Sequence, residues 1–104
     1  MRGKPVTEKQ IQQDIRAALL MLGFDVVSFS QPRNTMQTVG IPDLYARHMA
    51  WQLRVWIEVK TPKGKLSLDQ VVWHEVERSA GGTVLVACSA KDVLDQIAEI
   101  RSLT

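Results

Sequence analysis

The chain has 104 residues, 45% of them hydrophobic and 23% charged, with a formal net charge of +2. At this length we expect the chain to form one domain, because it can bury one hydrophobic core but not two. The charge is uneven: residues 1–65 carry ten Lys and Arg against five acids, whereas residues 66–104 carry three against six. A basic half of this kind is typical of a surface that binds a polyanion, although a solvated surface with uneven charge gives the same counts.

The cysteine content and hydropathy indicate the cellular setting. The single cysteine, Cys88, lies in the apolar run 83–88 and cannot form an internal disulfide. We interpret it as a small core residue, which favours a reducing, intracellular compartment. The N-terminus has no signal-peptide pattern, and no apolar run approaches the roughly 20 residues of a membrane span. The sequence therefore predicts a soluble, intracellular protein without a membrane partner.

The first half of the chain predicts a helix followed by three strands. Helix one covers residues 8–22, with Thr7 as its N-cap and Gln10 completing a capping box. Its apolar stripe consists of Ile11, Ile15, Ala18, Leu19 and Leu22. Strands are predicted at residues 24–30, 43–48 and 53–61. The segment 31–40 between the first two has no period, and a loop of this length indicates a functional or a disordered segment.

The second half predicts a helix, a strand and a final helix. Helix two begins after its N-cap Ser67 and ends near residue 80, before Gly81-Gly82. We expect its buried stripe to be Leu68, Val71, Val72, Val76 and Ala80. Strand four, residues 83–88, is apolar on both faces and is expected to lie in the interior. Helix three follows Ser89 and points Val93, Leu94, Ile97 and Ile100 inward.

The order of these elements predicts the fold class. Strand three, helix two and strand four form a β-α-β unit, which should pair parallel with a right-handed crossover. Strands one to three have short or looping connections and should pair antiparallel. The sequence therefore predicts a single α/β domain over residues 1–104, with a mixed four-stranded sheet flanked by helices and a C-terminal helix.

Polar residues that stand out from these strands predict a metal site. Glu58 and Lys60 share one face of strand three, because side chains alternate along a strand. Asp43 supplies a second carboxylate where strand two begins. Carboxylates on adjacent strands could hold Mg²⁺ or Mn²⁺, and the carbonyl of Val59 is placed to be a further ligand. The ion would remove the repulsion between the carboxylates, lower the pKa of a water and withdraw charge from a phosphoryl oxygen.

Lys60 would then orient or deprotonate the attacking water, or stabilise negative charge at phosphorus. The D…ExK spacing alone is weak evidence for a metal site, since an exposed strand with a salt bridge gives the same pattern. Two features strengthen the prediction of a metal site: glycine and proline precede Asp43, and a β-α-β crossover follows strand three. His48 and His74 have no acidic or hydroxyl partner at a telling spacing, and one cysteine with two scattered histidines disfavours zinc.

Several motifs in order resemble a known family over nearly the whole chain. They are Gly40-Ile41-Pro42-Asp43-Leu44, Ile57-Glu58-Val59-Lys60, Lys65-Leu66-Ser67-Leu68-Asp69-Gln70 and Ala80-Gly81-Gly82. Together they closely resemble the VRR-NUC (virus-type replication-repair nuclease) family of the PD-(D/E)XK, or restriction-endonuclease-like, superfamily. The resemblance implies a metal-dependent DNA endonuclease with an α-β-β-β-α-β core. It implies Asp43, Glu58 and Lys60 as the catalytic set, Gln70 as a further catalytic residue and Glu8 as a helix-one acid near the metal.

Some of these residues also have purely structural interpretations. Glu8 is favoured in the first turn of a helix by the helix dipole. Gln70 could instead complete the cap of helix two at Ser67. We expect that one side chain cannot easily both cap the helix and reach the catalytic site. The resemblance favours the catalytic role. The candidate DNA contacts, which could equally be solvated charges or polar loop residues, are Arg33, Asn34, Lys63 and Lys65. The tryptophans, interpreted as core or subunit-contact residues rather than base-stacking ones, are Trp51, Trp56 and Trp73.

The resulting hypothesis is a Mg²⁺- or Mn²⁺-dependent, structure-selective DNA endonuclease. Small members of the family look like Holliday-junction resolvases, which act as homodimers on branched DNA, and the resemblance implies a phage or bacterial origin. The alternative is a nucleic-acid-binding or assembly module with the same fold but no turnover. An enzyme acting on RNA or on another phosphodiester is a third possibility.

Overall fold

The structure, a computed structural model, describes residues 6–29 and 39–103. Two candidate DNA contacts, Arg33 and Asn34, lie outside the described residues. The elements run α1 (Glu8–Met21), β1 (Asp25–Ser28), β2 (Leu44–His48), β3 (Leu53–Val59), α2 (Leu68–Ser79), β4 (Val84–Ala87) and α3 (Ala90–Ser102). This is the predicted α-β-β-β-α-β order with a C-terminal helix. Across these two ranges, no helix has the length and apolar content needed to cross a membrane.

The four strands form one mixed sheet in the order β1-β2-β3-β4. β1 pairs antiparallel with β2. β2 pairs antiparallel with β3, because a tight turn at residues 49–52 reverses the chain between them. β3 pairs parallel with β4, because the helix α2 returns the chain to the same end of the sheet. The predicted fold class and strand pairing are therefore confirmed.

One face of the sheet carries the hydrophobic core. Val55, Ile57 and Val59 of β3 point to this face and pack against α1 and α3. The buried residues from the helices are Ile11, Ile15, Leu19, Val93 and Ile97. The predicted inward stripes of α1 and α3 are thus largely correct, although Leu22 is exposed because α1 has ended before it.

His48 supports the end of α1 and has a structural role. Its Nε2 lies 2.9 Å from the carbonyl oxygen of Leu22, and its Nδ1 accepts a hydrogen bond of 3.2 Å from the backbone N–H of Trp51. The ring also stacks on the Trp51 indole. Both nitrogens are therefore engaged, which agrees with the expectation that His48 is not part of a nucleophile arrangement.

The predicted buried stripe of α2 is wrong. Leu68, Val72 and Val76 are 77%, 54% and 65% exposed, and Val71 and Ala80 are exposed as well. The side of α2 that faces the sheet carries Gln70, Trp73, His74 and Glu77 instead. Gln70 and His74 bind Glu58 on β3. Glu77 accepts a hydrogen bond from Trp56, and Trp73 packs on the same ring. These contacts turn the polar side of the helix toward the sheet and leave its apolar stripe exposed.

β4 lies at the edge of the described sheet, beside β3. Three of its four residues are buried nonetheless, since α2 and α3 both pack against it. Its apolar sequence reflects cover from these helices, not a central position. Cys88 follows the strand and is half-buried rather than a core residue.

Candidate active site

The register between β2 and β3 brings Asp43 and Glu58 together. Leu44 pairs with Ile57 in this ladder. Continuing the register by one residue places Asp43 directly opposite Glu58, and residues opposite each other in an antiparallel pair point to the same face. The two carboxylates thus meet on the face opposite the hydrophobic core.

The segment before Asp43 is held by close backbone contact with α2. Gly40 has φ 86°, and a Cβ at this position would lie 2.3 Å from the backbone oxygen of Asp69. Glycine is therefore required both for its left-handed conformation and for the approach of the two chains. The buried Pro42 follows and delivers Asp43 to the end of β2.

Asp43 is tied to β3 through the backbone of Val59, whose N–H donates a 2.8 Å hydrogen bond to Asp43 Oδ2. In a strand, the N–H and the C=O of one residue point to the same side. The carbonyl of Val59 is therefore directed to the side on which Asp43 lies. Its expected role as a further metal ligand stays a prediction.

Glu58 is buried, with only 2% of the residue exposed, and α2 binds both of its carboxylate oxygens. Gln70 Nε2 donates to Oε2 at 3.1 Å, and His74 Nε2 lies 3.2 Å from Oε1. Gln70 and His74 are four residues apart, so they occupy one face of the helix a turn apart. This pair of contacts fixes the orientation of the Glu58 carboxylate.

Gln70 has both roles that the sequence set against each other. Its Oε1 accepts a 2.9 Å hydrogen bond from the backbone N–H of Ser67, which completes the capping box. Its Nε2 donates to Glu58. The expectation that one role must exclude the other is wrong, because the two ends of the amide serve different partners.

The site strongly perturbs the ionisation of Glu58. Its pKa is raised from 4.5 to about 8, chiefly by burial and in addition by a hydrogen bond to the Asp43 carboxyl and the negative charge of Asp43. The positive charge of Lys60 acts in the opposite direction, and Glu8 adds a small increase. Without a cation, the paired carboxylates hold a proton near neutral pH.

This donor set fits a hard divalent cation. Among the residues that the structure describes, no group of three or more His, Cys, Asp and Glu side chains is arranged to hold a metal. Two carboxylates and a backbone carbonyl are nevertheless the oxygen donors that Mg²⁺ and Mn²⁺ take, with water completing the shell. A cation between Asp43 and Glu58 would replace the shared proton and remove their repulsion.

The remaining predicted residues surround this centre. Lys60 follows β3 and acts electrostatically on Glu58. Glu8 is exposed at the start of α1 and lines a groove of about 430 Å³ together with Asp43. Lys63 and Lys65 are exposed in the turn after β3. The structure therefore brings the acids and Lys60 together at one end of the sheet. The two turn lysines follow Lys60 by three and five residues in the sequence.

His74 is the residue that sequence reasoning missed. It is 1% exposed, and its burial lowers its pKa, with further lowering from the positive charges of Arg78 and Lys60. It is therefore neutral at physiological pH. The signal that could have found it is its spacing: it lies four residues after Gln70, on the helix face that Gln70 was expected to turn toward the site.

The tryptophans have defined packing partners. Trp56 lies on the Glu58 face, 4.6 Å between ring centroids from Tyr45, and its Nε1 donates to Glu77 Oε2 at 3.1 Å. Trp73 contacts Trp56 edge-on. Trp51 stacks on His48 and lies under the Arg101 guanidinium at 3.6 Å. All three are half-buried, which agrees with the expected packing roles.

The fold and the site define a restriction-endonuclease-like α/β domain with two carboxylates and a lysine at the ends of adjacent strands. The chain is similar to a solved structure described as a VRR_NUC domain, with a TM-score of 0.71 and 27% sequence identity. The match covers 88% of this chain and 94% of that one. It confirms the resemblance inferred from the motifs and indicates a nuclease-type domain. No family model matches the chain, and no curated protein matches it.

Proposed function

We propose that the protein is a divalent-metal-dependent DNA endonuclease that hydrolyses phosphodiester bonds. The observation that carries this proposal is the pairing of Asp43 with the buried Glu58: burial, together with the hydrogen bond and the charge of Asp43, raises the pKa of Glu58 to about 8. A buried carboxylate beside a second carboxylate destabilises the fold when both are ionised, unless a cation neutralises them, so the pair points to a function that needs the cation. Mg²⁺ and Mn²⁺ are the proposed cofactors.

Each residue then has a definite task. Asp43, Glu58 and the Val59 carbonyl hold the cation, with Glu8 reaching the same groove. When bound, a cation of this kind supplies charge withdrawal from a phosphoryl oxygen and activation of a water. Lys60 orients the attacking water and stabilises the negative charge that develops at phosphorus. Gln70 holds Glu58 in place through its 3.1 Å hydrogen bond.

The proposed substrate is branched DNA, as for a Holliday-junction resolvase. Apart from α3, the described elements are those of the core fold itself, which favours selection by DNA shape over reading of base sequence. Contacts to phosphates position a protein without sequence information. Lys63, Lys65 and, in the segment outside the described residues, Arg33 and Asn34 are the proposed phosphate contacts.

A homodimer would supply two active sites for symmetric cleavage, since a two-fold axis repeats each site once. The exposed stripe of Leu68, Val72 and Val76 on α2 supports it. The three residues are spaced by one helical turn. If two copies of α2 pack antiparallel about Val72, Leu68 of each copy contacts Val76 of the other. We expect Val72→Asp to halve the mass measured by light scattering, and Leu20→Asp on α1 to leave it unchanged. A wild type that is monomeric at all concentrations would exclude the dimer.

The rival function is a binding or assembly module that has lost turnover. A face that merely binds DNA gains nothing from two acids beside the phosphates, and the intact Asp43, Glu58 and Lys60 set therefore favours the enzyme. The same chemistry acting on RNA is a narrower alternative, which the substrate panel below addresses.

The test is cleavage of Holliday junctions, flaps, linear duplexes, single strands and RNA with Mg²⁺, Mn²⁺ or EDTA. We expect metal-dependent cleavage of branched DNA and a loss of at least about 100-fold in rate for Lys60→Ala. The matched control is Lys91→Ala, which removes an exposed lysine that pairs with Asp95 on α3, and should cleave as wild type. Identical, metal-independent results for wild type and Lys60→Ala on every substrate would exclude the enzyme.

A further inference from the structure

The helix α2 buries a polar surface against the sheet, and His74 is at its centre. It is the one residue of α2 that is fully buried in the structure, at 1% exposure. Burying an imidazole against a carboxylate costs free energy unless the hydrogen bond between them compensates. An apolar residue at this position would have packed without that cost, so the contact with Glu58 needs a reason beyond stability.

The hydrogen-bond pattern identifies which nitrogen of His74 carries the proton. Nε2 lies 3.2 Å from Glu58 Oε1. Nδ1 is buried and has no hydrogen-bond partner among the described residues. An N–H at Nδ1 would be a buried unsatisfied donor, and Nε2 would then present a lone pair to a carboxylate oxygen. We therefore assign the tautomer with the proton on Nε2, which donates to Glu58.

We propose that His74 is a positioning residue for the metal centre: its Nε2–H holds Glu58 Oε1 while Gln70 holds Oε2, so that the ionised carboxylate is aimed at the cation beside Asp43. This role rests on the proposed function. It extends that function to a residue that contacts a metal ligand but not the metal. Hydrogen-bond partners of this kind set the orientation of the ligands.

Burial separates this role from a catalytic one. A general base must reach the proton of the attacking water or of the substrate, directly or through one water. His74 has one nitrogen committed to Glu58 and the other enclosed, and the residue is 1% exposed. It therefore acts through Glu58 and does not contact the substrate.

Two substitutions distinguish positioning from simple filling of space. His74→Leu fills the space with an apolar side chain of similar size and removes the donor, whereas His74→Gln keeps an N–H donor. Mn²⁺ affinity is measured by calorimetry without DNA, and kcat and KM are measured on the substrate that the wild type cuts. We expect His74→Leu to weaken Mn²⁺ binding by about 10- to 100-fold and to lower kcat with KM for DNA unchanged.

His74→Gln should restore Mn²⁺ affinity to within a few-fold of wild type. The control is His48→Gln, at the other histidine, which should leave Mn²⁺ affinity unchanged because His48 contacts Leu22 and Trp51 instead. A folded His74→Leu variant with wild-type Mn²⁺ affinity and kcat would overturn the proposal.

A measurement on the wild type keeps the proposal testable even where His74→Leu does not fold. The ¹⁵N chemical shifts of His74 in the Mg²⁺-loaded protein should show a protonated Nε2 and an unprotonated Nδ1; the opposite tautomer overturns the role. A wild type that neither binds Mn²⁺ nor cuts DNA contradicts the proposed function, and this role with it. If the wild type binds Mn²⁺ and cuts DNA, and His74→Leu does so equally well, only the proposed role of His74 is contradicted.

Discussion

The metal-free protein should be destabilised by its own active site, and the substitution Glu58→Gln tests this. The pKa of Glu58 is about 8 in the folded state, against an ordinary value of 4.5. Between these values the folded state keeps a proton that the unfolded state has released. The stability contributed by Glu58 is therefore complete below pH 4.5 and is lost progressively as the pH rises to about 8.

The magnitude follows from the size of this shift. Each pKa unit corresponds to about 1.4 kcal/mol, which gives an upper bound of roughly 5 kcal/mol for the stability lost by pH 8. Relaxation of the site reduces this, so we expect a loss of about 2–4 kcal/mol. Glutamine has the same shape but no ionisable group, so it should not show the pH-dependent loss; its NH2 faces an N–H donor of Gln70 or His74, a cost that does not change with pH.

The assay is urea unfolding followed by circular dichroism in EDTA at pH 5, 6, 7 and 8. The free energy of unfolding of Glu58→Gln minus that of wild type should increase as the pH rises from 5 to 8. Glu99→Gln, an exposed change on α3, is the control and should follow the wild type. Parallel curves for wild type and Glu58→Gln would refute the reasoning, because they would mean that Glu58 ionises as it does in the unfolded chain.

Two further comparisons address the backbone and the DNA surface. Gly40→Ala should destabilise the protein more than Gly81→Ala in thermal unfolding: both glycines have positive φ, which costs about 1–2 kcal/mol for alanine, but only Gly40 would also place its Cβ against backbone. Equal losses would contradict the close approach at Gly40. The double variant Lys63→Ala/Lys65→Ala should raise KM for DNA, leave kcat unchanged and reduce the salt dependence of binding by about two phosphate contacts. An unchanged salt dependence would show that these lysines do not contact DNA.

Much of this fold can be predicted from the sequence because its signals are local. The caps at Thr7, Ser67 and Ser89 mark where helices begin, and all three accept the expected backbone hydrogen bond. The alternation of β3 places Glu58 on the face opposite Ile57. The pairing with Asp43 then needs only that β2 and β3 be neighbours, which their short connection favours.

The orientation of α2 could not be predicted in the same way. Hydrophobic periodicity assigns the apolar side of a helix to the core, which would bury Val72 and expose His74. In the structure, the buried carboxylate of Glu58 needs donors, and α2 turns Gln70 and His74 toward it. A pattern that scores apolar residues one helix at a time contains no information about a charge on another element.

The position of β4 shows a second limit of such patterns. An apolar strand indicates cover on both faces, and β4 has that cover. The pattern does not say how many neighbouring strands the strand has, so it predicts the burial of β4 but not its position in the sheet. The edge position follows from the chain order, which brings β4 back beside β3 only.

Binding of Mn²⁺ to the protein without DNA tests the central claim most directly, because the claim is that Asp43 and Glu58 hold a divalent cation together. Titration calorimetry at pH 7.5 should show saturable binding to the wild type, accompanied by release of the proton that the two carboxylates share. Asp43→Asn and Glu58→Gln should each weaken that binding by at least about tenfold while Glu99→Gln leaves it unchanged. Binding of equal strength in all four proteins, or no saturable binding to the wild type, would contradict the account.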